Sequence, residues 1–83
     1  MKQRARTAKQ IGAIIRRERK QRALTQAALG KRIGLRQATI SKLEAGAPAT
    51  RLKTLFDALA ALELEFLVEQ RGRAAPDDIE RVF

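Results

Sequence analysis

Three residues near the middle of the chain, Gln37, Ala38 and Lys42, have side chains that suit contact with the edges of DNA bases. The amide of Gln37 can donate to and accept from an adenine edge in a bidentate pair, which discriminates by about 1–3 kcal/mol. The methyl group of Ala38 suits a thymine methyl, and Lys42, one helical turn further on, can reach a guanine edge or a phosphate. These residue types are also common on solvated surfaces, so whether they contact DNA depends on the secondary-structure elements that position them.

The composition excludes most catalytic and metal chemistry. The 83 residues include no Cys and no His, which are the usual zinc ligands, thiol nucleophiles and imidazole bases. The sequence also has no Gly-rich phosphate loop and no convergent set of carboxylates. We therefore expect neither an enzyme nor a protein that holds a metal or a cofactor.

The sequence has no segment typical of membrane insertion or secretion. No apolar run approaches the ~20 residues that cross a bilayer. The N-terminal segment MKQRARTAKQ is basic but leads into no continuous hydrophobic stretch, unlike a secretory signal. We expect a cytoplasmic protein without a membrane partner.

Charge is divided unevenly along the chain, whose formal net charge is +9. Residues 1–60 hold 15 Lys and Arg against 3 acidic residues, whereas residues 61–83 hold 3 against 6. This density of positive charge is typical of a domain that binds a polyanion, most often nucleic acid. A solvated basic surface with no ligand is the alternative.

The N-terminal third predicts a flexible basic arm over residues 1–6 and then a helix. Thr7 and Gln10 have the spacing of a capping box, in which both side chains bond to free amides at a helix start. Ile11 and Ile15 lie on one side of this helix, and the other side is strongly basic.

Two short helices separated by a glycine follow. Thr25 is a candidate cap for a helix over residues 26–32, and Gly34 can adopt the left-handed conformation that ends it. A third helix is predicted over residues 36–45. Two short helices in this arrangement are typical of a helix-turn-helix, here at about residues 25–45, and its second helix enters the major groove of DNA. Gln37 lies at the start of that second helix.

The C-terminal third predicts a fourth helix and then a strand. Thr50 is the expected cap of a helix over residues 51–61, with an apolar stripe at Leu52, Leu55, Phe56 and Leu59. The period then becomes that of a strand over residues 63–70, whose inner side is Leu62, Leu64, Phe66 and Val68. A lone strand needs a ladder partner, so we expect the same segment of a second subunit to pair with it in a homodimer. A fourth helix continuing to Val68 is the alternative, and residues 71–83 predict a flexible tail.

The segment LTQAALGKRIGLRQATISKLEAG resembles the helix-turn-helix of the Cro/CI (XRE-type) repressor family, and the resemblance covers about residues 10–62. The run RQATISKLE, followed by a further helix and ALELEFLVE, looks like the HipB antitoxins, which pair with HipA kinase toxins. The resemblance implies a mainly α, lambda-repressor-like domain of four to five helices over residues 7–62, with a C-terminal strand paired across a homodimer.

The function that the resemblance implies is repression and toxin neutralisation. We expect double-stranded DNA with a palindromic operator as one partner and a HipA-like Ser/Thr kinase toxin as another. A stand-alone XRE-type repressor without a toxin is the alternative. An RNA-binding or scaffolding module is a third possibility, which the small number of aromatic residues disfavours.

The resemblance also implies roles for individual residues. It places base contacts at Gln37, Ala38 and Lys42, a phosphate contact at Gln26, and Arg36, Thr39 and Ser41 close to the backbone or to base edges. We expect Arg36 to read bases, and Thr25, Thr39 and Ser41 to contact the backbone. Arg4 and Arg6 of the arm are further candidates for contact with phosphates. Arg19 and Glu44 match positions that form a partly buried, structural salt bridge in similar repressors.

Three residues depart from the family pattern. Gly30 replaces a small Ala, which weakens a helix by roughly 1 kcal/mol but still permits close packing. Ala23 stands where Gly often ends the first helix, so strain is expected in that turn. Arg36 replaces a Ser or Thr and so removes a helix cap.

Overall fold

Four short amphipathic helices form the architecture of the computed structural model, which describes residues 2–71. They are α1 (Ala8–Gln21), α2 (Gln26–Arg32), α3 (Gln37–Glu44) and α4 (Leu52–Ala61). These bounds confirm the mainly α fold class, and α2 and α3 lie within the predicted helix-turn-helix at about residues 25–45. The tail predicted at residues 71–83 lies outside the described residues, apart from Arg71.

Two of the helix starts are capped as their sequences predict. The hydroxyl of Thr7 accepts a hydrogen bond from the amide of Gln10 at 3.1 Å, and that of Thr25 accepts from the amide of Ala28 at 3.0 Å. The Gln10 side chain accepts from the amide of Arg6, one residue earlier than a capping box requires. Arg36 precedes α3 without any side-chain cap, as expected for this departure from the family pattern.

All four helices end in the same way, at a residue with left-handed backbone. These residues are Ala23 (φ 55°), Gly34 (φ 71°), Gly46 (φ 83°) and Glu63 (φ 58°). In each case the next amide bonds back to a carbonyl in the last turn of the helix, as in a Schellman motif. Only glycine adopts this conformation without a Cβ penalty, so the strain expected at Ala23 is confirmed.

One aliphatic core joins the four helices. Ile15, Leu29, Ile40 and Leu62 are its largest fully buried side chains, and they come from α1, α2, α3 and the end of α4. Leu43, Leu55, Ala58 and Leu59 complete the cluster. Burial of each large aliphatic side chain contributes roughly 1.5–3 kcal/mol, so this cluster fixes how α2 and α3 cross.

The start and the apolar stripe of α4 differ from the prediction. Thr50 does not cap α4, because the helix begins one residue later than predicted, at Leu52, which puts Arg51 at the cap position without a side-chain hydrogen bond. Leu52 and Phe56 are 66% and 46% exposed, because α4 turns Thr54 and Ala58 toward the core instead. Two apolar side chains of α4 are therefore left at the surface.

The segment after α4 is not a continuation of that helix. The left-handed Glu63 ends α4, and the amide of Leu64 bonds to the carbonyl of Leu59 at 2.8 Å, so the alternative of a helix to Val68 is wrong. Residues 64–70 have no regular secondary structure in this single chain, and the intermolecular strand stays a prediction. Leu62 was wrongly expected at a dimer interface, because it is fully buried in the core of its own chain.

Gly30 occupies a site that only glycine fits, which reverses the expectation drawn from helix propensity. A Cβ at this position would lie 2.5 Å from the carbonyl oxygen of Leu35. We predict that Gly30→Ala lowers the free energy of unfolding by about 1–3 kcal/mol in urea, as overpacking does. Propensity alone would raise it by about 1 kcal/mol, so an increase would contradict this packing. Ala27→Gly, at an exposed position of α2, measures the propensity effect alone.

Candidate nucleic-acid interface

One side of α3 is free of contacts with the core and carries the residues predicted to touch bases. We call its exposed side chains the recognition face: Gln37, Ala38, Ser41, Lys42 and Ala45. The opposite side of the helix buries Ile40 and Leu43 in the core. Because α3 has one buried and one exposed side, the core determines which residues a groove of DNA would meet.

A chain of hydrogen bonds connects the recognition face to the interior. The amide nitrogen Nε2 of Gln37 donates to Oε1 of Gln26 at 3.3 Å. The Nε2 atom of Gln26 in turn donates to Oε1 of Glu44 at 3.1 Å. Gln26 therefore contacts both Gln37 and Glu44, and it turns the carbonyl oxygen of Gln37 away from itself.

Arg19 and Glu44 form the predicted salt bridge at the inner end of this chain. Nε of Arg19 lies 2.6 Å from Oε2 of Glu44, and Nη2 lies 3.0 Å from Oε1. Both residues are 7% exposed. The remaining guanidinium nitrogen Nη1 donates to the carbonyl oxygen of Leu24 at 2.7 Å, in the turn that leads to α2. A bidentate, buried pair of this kind fixes α1, α3 and the start of α2 relative to one another.

The surroundings of Glu44 keep it ionised. Burial alone raises the pKa of its carboxyl group, but hydrogen bonds from Arg19 and Gln26 and the charges of Arg19 and Arg16 outweigh that effect. The pKa of Glu44 is therefore below its ordinary value. At neutral pH the carboxylate accepts from both neighbours, which keeps Gln26 in place.

The structure brings together some of the expected contact residues and leaves others separate. Arg36 is exposed at the start of α3, close in sequence to the recognition face, and Thr39 is half-buried. The hydroxyl of Thr25 serves as the α2 cap, so capping alone accounts for that residue.

Arg4 and Arg6 are exposed, but the N-terminal arm that carries them packs on one side of α1, and α3 packs on another. Gln3 in this arm donates to Oε2 of Glu18 at 3.1 Å. Gly12, on the other hand, is the α1 residue in backbone contact with α3. Positions 12 and 18 are a third of a turn apart around α1, so the arm and α3 do not lie on the same side.

The contact between Gln26 and Gln37 was missed by sequence reasoning, which gave Gln26 a phosphate contact only. Each Gln is the first residue of its helix, α2 or α3. The two helices of a helix-turn-helix pack against each other at a steep angle, so two long amides at these positions are a pattern that could have revealed the contact.

The comparisons with known proteins agree with this geometry. The helix-turn-helix family HTH_3 matches residues 15–67. The antitoxin HipB of Escherichia coli K12 is 36% identical over 72 residues, which cover 87% of this chain and 82% of that protein. The chain belongs to the helix-turn-helix family of the HipB antitoxins.

Solved structures of HipB superimpose closely on this HipB-like chain. A HipB–O4 20mer complex has a TM-score of 0.78 and 34% identity, covering 84% of this chain and 99% of that one. A HipA–HipB–O2–O3 complex gives the same four values. Within residues 2–71, no helix has the length and apolarity needed to span a membrane, and no group of three acidic side chains is arranged to hold a metal.

The salt bridge predicts a specific pattern of stabilities. Arg19→Met leaves the carboxylate of Glu44 buried without its cation, so we predict a loss of about 3–5 kcal/mol in the free energy of unfolding at pH 7. Arg19→Met/Glu44→Met removes both charges and should cost less than Arg19→Met alone in urea unfolding. Glu44→Met completes the cycle, and a double variant that loses the sum of the two single losses would show that the groups do not interact.

The same variants predict a pH dependence. Because the folded pKa of Glu44 is lowered, the unfolded chain binds more protons in acid, and the stabilisation is fully present above the ordinary value of 4.5. It is lost as the pH falls through the folded pKa, and the double variant should lack this part of the acid destabilisation. The hydrogen bond from Arg22 lowers the pKa of Glu18 as well, so Glu18→Gln is the control for a second carboxylate.

Proposed function

We propose that this protein is a sequence-specific DNA-binding repressor and antitoxin of the HipB type, which represses its own operon. The observation that carries the DNA-binding part is the recognition face of α3, with Gln37 exposed at its start and held by Gln26. A side chain already held in place loses less conformational entropy on binding, and its free carbonyl oxygen can accept from an adenine amino group.

Each expected contact residue has a distinct part in this proposal. Arg36, Gln37, Ala38 and Lys42 contact base edges in the major groove. Thr25, Gln26, Thr39 and Ser41 lie near the sugar-phosphate backbone and set the register of α3, and Arg4 and Arg6 add phosphate contacts outside it. The positive charge of residues 1–60 supplies attraction that does not depend on sequence.

The operator in this proposal is an inverted repeat bound by a homodimer. Two recognition helices of a twofold dimer meet successive major grooves when they are about 34–36 Å apart. The surface of the single chain has apolar side chains that such a dimer could bury: Leu52, Phe56, Phe66 and Val68 are all large, hydrophobic and exposed. The rings of Phe56 and Phe66 already pack edge to face at 5.9 Å, so the surface side of α4 and the C-terminal segment are continuous.

A HipA-like Ser/Thr kinase toxin is the second partner in this proposal. It is supported by the 36% identity to the antitoxin HipB and by the similarity to the chain in the HipA–HipB–O2–O3 complex. We expect the toxin to dock away from the recognition face, and the assembly to act in the cytoplasm, on the nucleoid when bound to its operator.

A stand-alone XRE-type repressor is the alternative function, because the same helix-turn-helix serves either. Co-purification with a kinase-sized protein encoded beside this chain decides in favour of the antitoxin. An RNA-binding module is less well supported, because two of the three Phe rings lie together on α4 and the C-terminal segment rather than on α3. Tighter binding to single-stranded RNA than to duplex DNA would favour it.

Gln37→Ala should relax base preference at one position in each half-site, because the bidentate amide is lost. We expect a loss of roughly 1–3 kcal/mol in discrimination at that position, measured by binding to a panel of single-base operator variants. Gln70→Ala, at an exposed position outside the helix-turn-helix, is the control. A uniform loss of affinity across the panel would instead make Gln37 a phosphate contact.

Val68→Asp should weaken dimerisation, because it introduces charge on the predicted inner side of the C-terminal strand. Val68 is 82% exposed in the single chain, so the fold tolerates the change. Leu67→Asp, on the opposite side of the strand, is the matched control and should leave the sedimentation mass unchanged at micromolar concentration. Equal effects of the two variants, or no effect of either, would exclude pairing through this strand.

A further inference from the structure

A groove of about 690 Å³ runs beside α1 where that helix meets the end of α3. We call it the basic groove, because the charged side chains that line it from α1 are all cationic. Lining residues include Lys9, Arg16, Arg17 and Lys20 from α1, and Glu44 and Ala45 from the end of α3. None of these four α1 residues was among the DNA-contact residues expected from the sequence.

The positive charge of the basic groove is not neutralised by ion pairs within the protein. In residues 2–71 the salt bridges are formed by Arg19, Arg22 and Lys53, none of which is one of the four lining cations. The one lining carboxylate, that of Glu44, is buried and accepts from Arg19 and Gln26; the charge of Arg16 acts on it as well, but Arg16 forms no ion pair with it. The four cations are exposed to solvent and available to an anionic ligand.

The cations also follow a regular course along α1. Positions 9, 13, 16 and 20 lie on one side of a helix, and three of these four residues are Lys or Arg. From Lys9 to Lys20 this row is about 16 Å long at 1.5 Å per residue. A polyanion with closely spaced charges, such as one strand of a duplex, fits a row of that length better than a single small anion does.

The basic groove lies directly beside the recognition face. Ala45 lines the groove and also belongs to that face, two turns beyond Gln37. The backbones of α1 and α3 are in close contact here: a Cβ on Gly12 would lie 2.5 Å from the carbonyl oxygens of Leu43 and Glu44. The row of cations is therefore about one helix diameter, roughly 10–12 Å, from α3.

We infer that the basic groove binds the sugar-phosphate backbone that flanks the major groove occupied by α3. This inference rests on the proposed function, because it takes α3 as the helix in that groove. The major groove is about 12 Å wide, so a backbone strand passes beside α3 at a distance comparable to that of the row on α1. These contacts add affinity without sequence preference and extend the DNA-binding surface beyond the helix-turn-helix.

The test measures how the affinity for a selected operator duplex changes with salt concentration. Lys20→Gln should make the slope of log K against log salt shallower by about 0.9 for each lost phosphate contact, and by twice that in a dimer. Arg16→Gln/Lys20→Gln should make it shallower still. Base preference in a panel of operator variants should remain that of the wild type. Lys53→Gln is the control for loss of a lysine elsewhere on the surface: Lys53 lies exposed on α4, paired with Asp57, and its removal should leave the slope unchanged.

The outcomes separate this inference from the proposed function. Slopes that stay at the wild-type value in both groove variants overturn the inference, while a selective effect of Gln37→Ala still supports the proposed function. Shallower slopes in the groove variants, combined with a wild type that binds all duplexes equally, support the groove and overturn the proposed sequence specificity. A double variant that keeps its slope but no longer co-purifies with a kinase partner assigns the groove to protein docking and overturns the inference.

Discussion

The buried ion pair between Arg19 and Glu44 is the interaction on which the rest of the structure depends. It joins α1 to the end of α3, and through Leu24 and Gln26 it also holds the beginning of α2. Desolvation makes such a pair costly if either partner is missing, so it stabilises only the arrangement in which all three helices meet correctly. The same carboxylate belongs to the chain of hydrogen bonds that orients Gln37. The same ion pair therefore both selects one packing of the helices and helps to order Gln37 on the recognition face.

This arrangement divides the chain into parts with different physical tasks. The aliphatic core fixes the crossing of α2 and α3, and the polar chain transmits that fixed geometry to the recognition face. Most of the positive charge lies outside both, on the exposed sides of the helices and on the turns, where it acts over a longer range. Apolar side chains that the core does not use, such as Leu52 and Phe56, remain on the far side of α4. The structure thus has one surface suited to a polyanion and another suited to an apolar partner.

Local features of the fold could be predicted from the sequence, because they depend on a few neighbouring residues. The caps at Thr7 and Thr25 and the left-handed end of α2 at Gly34 are of this kind. The salt bridge was expected because its two residues match a family position, not because their spacing requires contact. Features that depend on tertiary packing could not be predicted. The predicted apolar stripe of α4 was right for Leu55 and Leu59 and wrong for Leu52 and Phe56, because apolar residues at helical spacing do not determine which side of the helix faces the core.

Other differences between the sequence-based expectations and the structure also arise from tertiary packing. Gly30 was expected to weaken α2 while permitting close packing, and the approach of the Leu35 carbonyl shows why the packing requires glycine there. Leu62 continued the alternating pattern of the C-terminal segment, yet it fills the core at the end of α4. The contact between Gln26 and Gln37 likewise depends on the angle between α2 and α3. In each case, contacts with a distant part of the chain determine the structural role of the residues in a local sequence pattern.

Selection of binding sites from random duplex DNA, performed with the full chain at a stated salt concentration, tests most directly whether α3 contacts bases. The account predicts enrichment of an inverted repeat whose half-sites are about 10–10.5 base pairs apart from centre to centre. Recovery of duplexes with no common sequence, at an affinity equal to that for unselected DNA, would contradict it.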